Sequence, residues 1–205
     1  MSYSENHEQA KWVAYSLDLN QTYGTVKRTN RFRTDPKVST GSSELSDYKK
    51  SGYDRGHLAP AGDMKWSSTA MDESFFMSNI SPQVPGFNRG IWKKLESTVR
   101  KWARDYKKIY IVTGPVLTKS YATIGKNEVS VPELYYKVVL DYQKPVLKAI
   151  GFVLPNKKSK NRIQKYSMSV DEVEKITGID FFHSLDDALE DSIESVHDIG
   201  QWKFQ

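Results

Sequence analysis

Apolar and polar positions change period several times along the chain, and each change marks an element. From Trp12 to Leu17 they alternate, the period of a half-buried strand, and the turn-prone Asn20-Gln21-Thr22-Tyr23-Gly24 follows. Between Gly90 and Lys107 the period lengthens. Ile91, Leu95, Val99 and Trp102 recur every three or four positions among Lys and Arg, which predicts an amphipathic helix. Three runs rich in Val, Ile, Tyr and Phe then read as strands: Ile109–Val112, Leu134–Leu140 and Leu147–Leu154, the last closed by Pro155. Ser169 with Glu172 forms a capping-box pattern, Val170, Val173 and Ile176 give an apolar face, and Gly178 supplies a stop, so a second helix is expected. Strands on both sides of a central helix, with a helix late, define an α+β class. Neither an internal repeat nor a low-complexity linker divides residues 1–205, which are expected to form one domain.

Composition narrows the chemistry more than it directs it. Net charge is +5 and the sequence pI about 9.1, a mild excess that attracts polyanions but is common in proteins that never meet one. Cysteine is absent, so disulfides, thiolate metal sites and cysteine nucleophiles are excluded, and any metal must sit on oxygen or imidazole. No stretch approaches the roughly 20 apolar residues of a membrane-spanning helix. The polar start Met1-Ser2-Tyr3-Ser4-Glu5-Asn6-His7 lacks a signal-peptide pattern. An exported protein whose signal has been removed and an intracellular protein both fit it. Residues 27–50 are polar and basic and read as an irregular surface connection, while the tail from Asp180 is acidic.

The densest chemistry lies in Tyr53-Asp54-Arg55-Gly56-His57-Leu58-Ala59-Pro60. Gly56 permits an unusual backbone angle or a close approach beside His57, a proton acceptor near neutral pH, and Arg55 offers a fixed bidentate donor for phosphate. The plainer reading is an exposed turn with an Asp54–Arg55 ion pair. Met77-Ser78-Asn79-Ile80-Ser81-Pro82-Gln83 reads as a short strand followed by a loop, and Phe87-Asn88-Arg89-Gly90-Ile91-Trp92 leads into the long helix. Asn88 suits a helix N-cap, and Glu96 suits pairing with Lys93 or Arg100. At about 100° per residue, however, Glu96 returns toward the side of Asn88, where the two can bracket a hydrated ion. His7, His183 and His197 lack partners at metal-ligand spacing and are expected to pack or face solvent.

In order and spacing, Asp54-Arg55-Gly56-His57, Ser78–Gln83 and Asn88-Arg89-Gly90-Ile91-Trp92-Lys93-Lys94-Leu95-Glu96 resemble the DNA/RNA non-specific endonuclease family, which includes Serratia-type nucleases and mitochondrial endonuclease G. Phe32–Pro36, Val112–Pro115 and Ser169–Phe182 extend the likeness to residues of about 10 to 185. The resemblance implies a ββα-metal finger at about residues 53–107, with a central antiparallel sheet flanked by helices. It implies that His57 is the general base, Asn88 the direct ligand of Mg²⁺ (Mn²⁺ substituting), and Glu96 a support for the ion through its hydration shell. Asn79 would order the site and Arg55 contact the phosphate. The family's upstream arginine falls on Arg28 or Arg31, and Arg89 edges the substrate path.

The expected activity is Mg²⁺-dependent, sequence-tolerant hydrolysis of DNA and RNA to 5′-phosphate products. The chemistry is coherent on its own terms: a neutral imidazole serves as base, and a hydrated Mg²⁺ held by few protein groups neutralises phosphoryl charge. A catalytically silent nucleic-acid-binding module on the same scaffold is the alternative. The lysine-rich stretch from Lys144 to Lys165 adds phosphate contacts that carry little sequence information. A protein inhibitor is a further possible partner, monomer and homodimer stand open, and a secreted or periplasmic setting is preferred over an intracellular one.

Overall fold

The strand-like runs pair into one antiparallel sheet. The structure is a computed structural model and describes residues 1–204. In chain order its elements are β1 (Ser2–Ser4), β2 (Gln9–Asp18), α1 (Leu45–Tyr48), β3 (Asp54–His57), α2 (Ser68–Glu73), β4 (Ile80–Gln83) and α3 (Lys93–Asp105). There follow β5 (Lys108–Pro115), β6 (Thr123–Ile124), β7 (Val129–Ser130), β8 (Leu134–Asp141), β9 (Lys148–Pro155), β10 (Ser167–Met168), α4 (Val170–Thr177) and α5 (Asp187–Glu194). The main sheet runs β1-β2-β5-β8-β9-β10 with every neighbour antiparallel, and β3–β4 and β6–β7 form separate two-stranded ribbons.

Strand β8 shows why its sequence reads as an almost unbroken apolar run. Successive side chains point to opposite faces, and both faces are covered. Tyr135 and Val139 join Leu95, Val99 and Trp102 of α3 in one core, whereas Tyr136, Val138 and Leu140 join Val170 and Val173 of α4 and Ile193 of α5 in another. The sheet is thus a middle layer between α3 on one side and α4 with α5 on the other. Trp202 and Phe204 close the first core against Trp102, at ring-centroid distances of 4.5 and 5.2 Å.

The long helix begins at Lys93 rather than Gly90, because a π-helical turn over Phe87–Trp92 precedes it and Gly90 leaves helical geometry there (φ −104°, ψ −110°). The order read for Met77–Gln83 is reversed: a 3₁₀ turn over Met77–Asn79 comes first and the strand follows. Residues 27–50 are more than a surface connection. They contain α1, and Asp35, Ser42, Ser43, Asp47 and Tyr48 are buried. Helix α4 forms as expected, with the reciprocal Ser169–Glu172 cap and Gly178 at its end. Helix α5 is not predicted by its acidic sequence. Acidic residues at its start complement the helix dipole, and Leu189 and Ile193 seat it on the second core.

Candidate active site

Strands β3 and β4 pair Asp54 with Gln83, Arg55 with Pro82, Gly56 with Ser81 and His57 with Ile80. A side chain at position 56 would collide with Gln83, since a Cβ there would lie 2.2 Å from Gln83 Cδ. Close approach, not an unusual backbone angle, therefore accounts for the glycine. It also leaves His57 at the end of the ribbon, buried to 7% exposure. Phe75 and Phe32 flank its ring edge-to-face, with centroids 4.9 and 5.6 Å away. Nε2 is buried without a hydrogen-bond partner. Burial first, then the charge of Arg28, pushes the imidazole pKa down to about 3, although a hydrogen bond involving the Arg55 backbone opposes the shift. His57 is therefore a neutral base rather than an imidazolium at neutral pH.

Asn79 anchors the segment after the histidine. Its side-chain oxygen accepts from Ala59 N (2.9 Å), its amide donates to Ala59 O (3.0 Å) and Ser74 O (2.8 Å), and its own carbonyl accepts from Leu58 N (2.9 Å). Asn79 thus lies beneath the site, bonded to backbone.

Asn88 sits inside the π-helical turn and does not cap α3. Its amide donates to Asp54 Oδ2 at 2.9 Å, and Arg89 donates to both Asp54 oxygens. Asp54 thus pairs with Arg89 rather than with its neighbour Arg55. Burial alone would raise the Asp54 pKa, but the Arg89 and Asn88 hydrogen bonds and the nearby guanidinium charges hold it below the usual carboxylate range. With its nitrogen committed, Asn88 has its side-chain oxygen free to accept or to ligate.

His57, Arg55, Asn88, Arg89, Glu96 and Arg28 line a single open cleft of about 490 Å³, in which Glu96 is the only carboxylate among several cations. Arg55 lies with its guanidinium 4.3 Å above the Phe32 ring, and Arg28 lies 4.8 Å above Phe75. Arg31 is elsewhere: it and Arg33 bind Asp72 outside the cleft. Of the two upstream arginines, the structure brings only Arg28 to the site. Arg89, Lys93 and Ser97 also border an adjoining cleft lined by Lys94, Lys160 and Arg162, which extends the basic surface. The uncharged amide oxygen of Asn88 and the carboxylate of Glu96 are hard oxygen donors of the kind Mg²⁺ takes, so the residues present fit that ion.

The ground beneath Glu96 departs from what its helix spacing predicts. Arg100 pairs with Asp63, not Glu96, at 2.7 Å, and Tyr15 donates to the same aspartate at 2.8 Å. Lys137 is fully buried on the core face of β8, its ammonium 5.0 Å from the Trp92 ring centroid and without a hydrogen-bond acceptor. Burial pushes the Glu96 carboxyl up and the Lys137 ammonium down, and their mutual attraction pulls both back toward the charged forms. The single sequence signal for Lys137 is a lysine in the middle of the apolar run Leu134–Leu140.

A two-stranded ribbon ending in histidine, joined through a turn to a helix that presents amide and carboxylate oxygens, defines the ββα-metal class of nuclease fold. The DNA/RNA non-specific endonuclease family model matches residues 1–188, and the chain belongs to that family. It is 37% identical to the mitochondrial nuclease EXOG of Danio rerio, over 90% of this chain and 59% of that protein. It is 36% identical to nuclease C1 of Cunninghamella echinulata var. echinulata, over 91% of this chain and 81% of that protein. A crystal structure of an EndoG/EndoGI complex, concerned with the mechanism of EndoG inhibition, superposes with a TM-score of 0.85 at 32% identity, covering 91% of this chain and 83% of that one. The chain thus spans under two thirds of the zebrafish protein.

Proposed function

We propose that the chain hydrolyses internal phosphodiester bonds of DNA and RNA with little regard for sequence, leaving 5′-phosphate ends. The observation that carries this reading is a buried, neutral and unpartnered His57 Nε2 at the edge of a basic cleft that also contains the Asn88 oxygen and Glu96.

His57 accepts the proton of the attacking water at Nε2. Its flanking phenylalanines fix the ring, so reorientation does not compete with proton transfer. Arg55 and Arg28 donate to the phosphoryl oxygens and stabilise charge as it builds. Asn88 would hold Mg²⁺ directly, and Glu96 would support it through its hydration shell. When bound, the ion polarises the phosphate and shields the leaving oxygen. Asp54 orients Asn88, and Asn79 positions the backbone beyond His57. Arg89, Lys93, Lys94, Lys160 and Arg162 grip successive phosphates, which favours a polymer and gives little base discrimination. A protein inhibitor covering this cleft is part of the same reading, supported by likeness to an EndoG chain solved with EndoGI.

The experiment is digestion of supercoiled plasmid and of RNA with Mg²⁺, with Mn²⁺, with EDTA and with His57→Ala. Metal-dependent nicking that vanishes in the variant supports the reading. Intact substrates under every metal condition at low salt overturn it in favour of a binding module.

A further inference from the structure

On the face of the sheet opposite the cleft, α4 and α5 bring three carboxylates together. One oxygen from each of Asp171, Glu174 and Glu194 lies within 4.8 Å of the other two. Such clusters are common on surfaces, where water solvates them. This one differs at Glu194, which is 4% exposed and whose Oε1 has no hydrogen-bond partner. Neighbouring Glu190 also has an unpartnered buried oxygen. Among the described residues, no lysine or arginine forms an ion pair with Asp171, Glu174, Glu190 or Glu194. A buried carboxylate in that position is costly unless something positive meets it.

We propose that Asp171, Glu174 and Glu194 form a second divalent-cation site that clamps α5 onto α4. Glu174 uses Oε1 to accept from Phe181 N at 2.7 Å, which fixes its side chain and leaves its other oxygen available. Asp171 stands in the first turn of α4 and Glu194 at the last residue of α5, so one ion ties the two helices end to end. The donors are all hard oxygens of flexible carboxylates. They suit Ca²⁺, which accepts six to eight oxygens at adaptable geometry, better than Mg²⁺, which demands a strict octahedron; water completes the shell. The competing occupant is a proton. Burial and then the charges of Glu174, Glu190, Asp171 and Asp180 push the Glu194 pKa up to about 8.

The test is calorimetric Ca²⁺ titration of the EDTA-stripped chain near neutral pH, with parallel thermal melts. Four proteins are compared: wild type, Glu194→Gln, Asn88→Ala and the double variant. In the Asn88→Ala background Ca²⁺ should bind with one-to-one stoichiometry and raise the melting midpoint. Adding Glu194→Gln should weaken binding about tenfold or more and abolish the shift. Asp171→Asn, at a more exposed position, should weaken binding in the same way and serves if Glu194→Gln fails to fold. No binding at millimolar Ca²⁺, or binding unchanged by both substitutions, overturns the site. An EDTA-stripped Glu194→Gln that melts above a wild type insensitive to Ca²⁺ likewise overturns it and assigns the position to a proton. If Asn88 is not a ligand at all, Asn88→Ala will retain two ions and Glu194→Gln will still remove one, so the two readings fail separately.

Discussion

The Asn88 side chain donates to the Asp54 carboxylate at 2.9 Å, so the turn before α3 takes its orientation from the first strand of the ribbon. Arg89 grips the same carboxylate from solvent. Asp54→Ala should therefore free the amide of Asn88 to rotate, and it also releases Arg89, so substrate binding is measured beside metal affinity. The expected result is a loss of about 10–100-fold in apparent metal affinity, typical of removing an orienting partner, with cleavage partly restored by excess Mg²⁺. A Mg²⁺ titration of plasmid nicking reads it; an unchanged midpoint would show that Asp54 does not position Asn88.

His57→Ala should lower the cleavage rate by about 10²–10⁴-fold, the usual contribution of a positioned base. Binding of uncleaved duplex should change little, because the cleft's cations remain. Single-turnover rates and an anisotropy measurement in Ca²⁺ separate the two quantities. Equal losses in binding and rate would make His57 a structural residue.

The depressed pKa of His57 has a definite sign in stability. Above pH 6.5 the imidazole is neutral in both folded and unfolded chains and contributes no pH dependence. Between 6.5 and about 3 only the unfolded chain takes up the proton, so stability falls as pH is lowered, by about 1.4 kcal/mol per pH unit from this group. Urea unfolding at a series of pH values should show a shallower acid decline in His57→Gln. Ring ¹⁵N shifts of His57 should stay those of a neutral imidazole from pH 8 to 5; titration near 6.5 would contradict the burial argument.

Asp63→Ala should destabilise the chain by about 3–5 kcal/mol, the cost of removing one partner of a buried pair, because Arg100 and the Tyr15 hydroxyl both lose their acceptor. Denaturant unfolding measures it. A change below about 1 kcal/mol would mean that solvent reaches Arg100 and replaces the aspartate.

Lys160→Ala with Arg162→Ala should weaken duplex binding and flatten its salt dependence, by roughly 0.9 in the log–log slope for each phosphate no longer neutralised. Cleavage patterns on DNAs of different sequence should remain alike. An altered sequence preference would indicate base contacts in this adjoining cleft.

Period was enough to read the four long strands of the main sheet and both capped or strongly amphipathic helices, whereas β1 and β10, three and two residues long, carry too little of it. Strands β5, β8 and β9 lie where the apolar runs put them, and Ser169, Glu172 and Gly178 bound α4 as written. The cleft's members came from local motif spacing, since Arg55, His57, Asn88 and Glu96 belong to two short segments. What escaped were contacts made only by folding. Choosing Arg28 over Arg31 depends on Asp72 capturing Arg31, a residue 41 positions away. Lys137 and Asp63 both act electrostatically on Glu96 from distant parts of the chain, with nothing in the local sequence to couple them. Helix α5 depends on seating Leu189 and Ile193 in a core supplied by other segments, whereas its own sequence offers mainly acid.

Phe32 touches the site from a stretch with no regular structure, its ring under the Arg55 guanidinium and against the edge of His57. One residue later Arg33 exchanges backbone bonds with Phe75 and Met77, and Asp35 accepts from Ser78. Held on its C-terminal side, the aromatic ring packs against both the Arg55 guanidinium and the His57 imidazole. The stretch around it is accordingly calibrated in length. Most connections of this kind are where a gene can gain or lose codons without penalty. Here one inserted residue would shift the ring by a full backbone step and take it from beneath the Arg55 guanidinium and from beside the His57 ring.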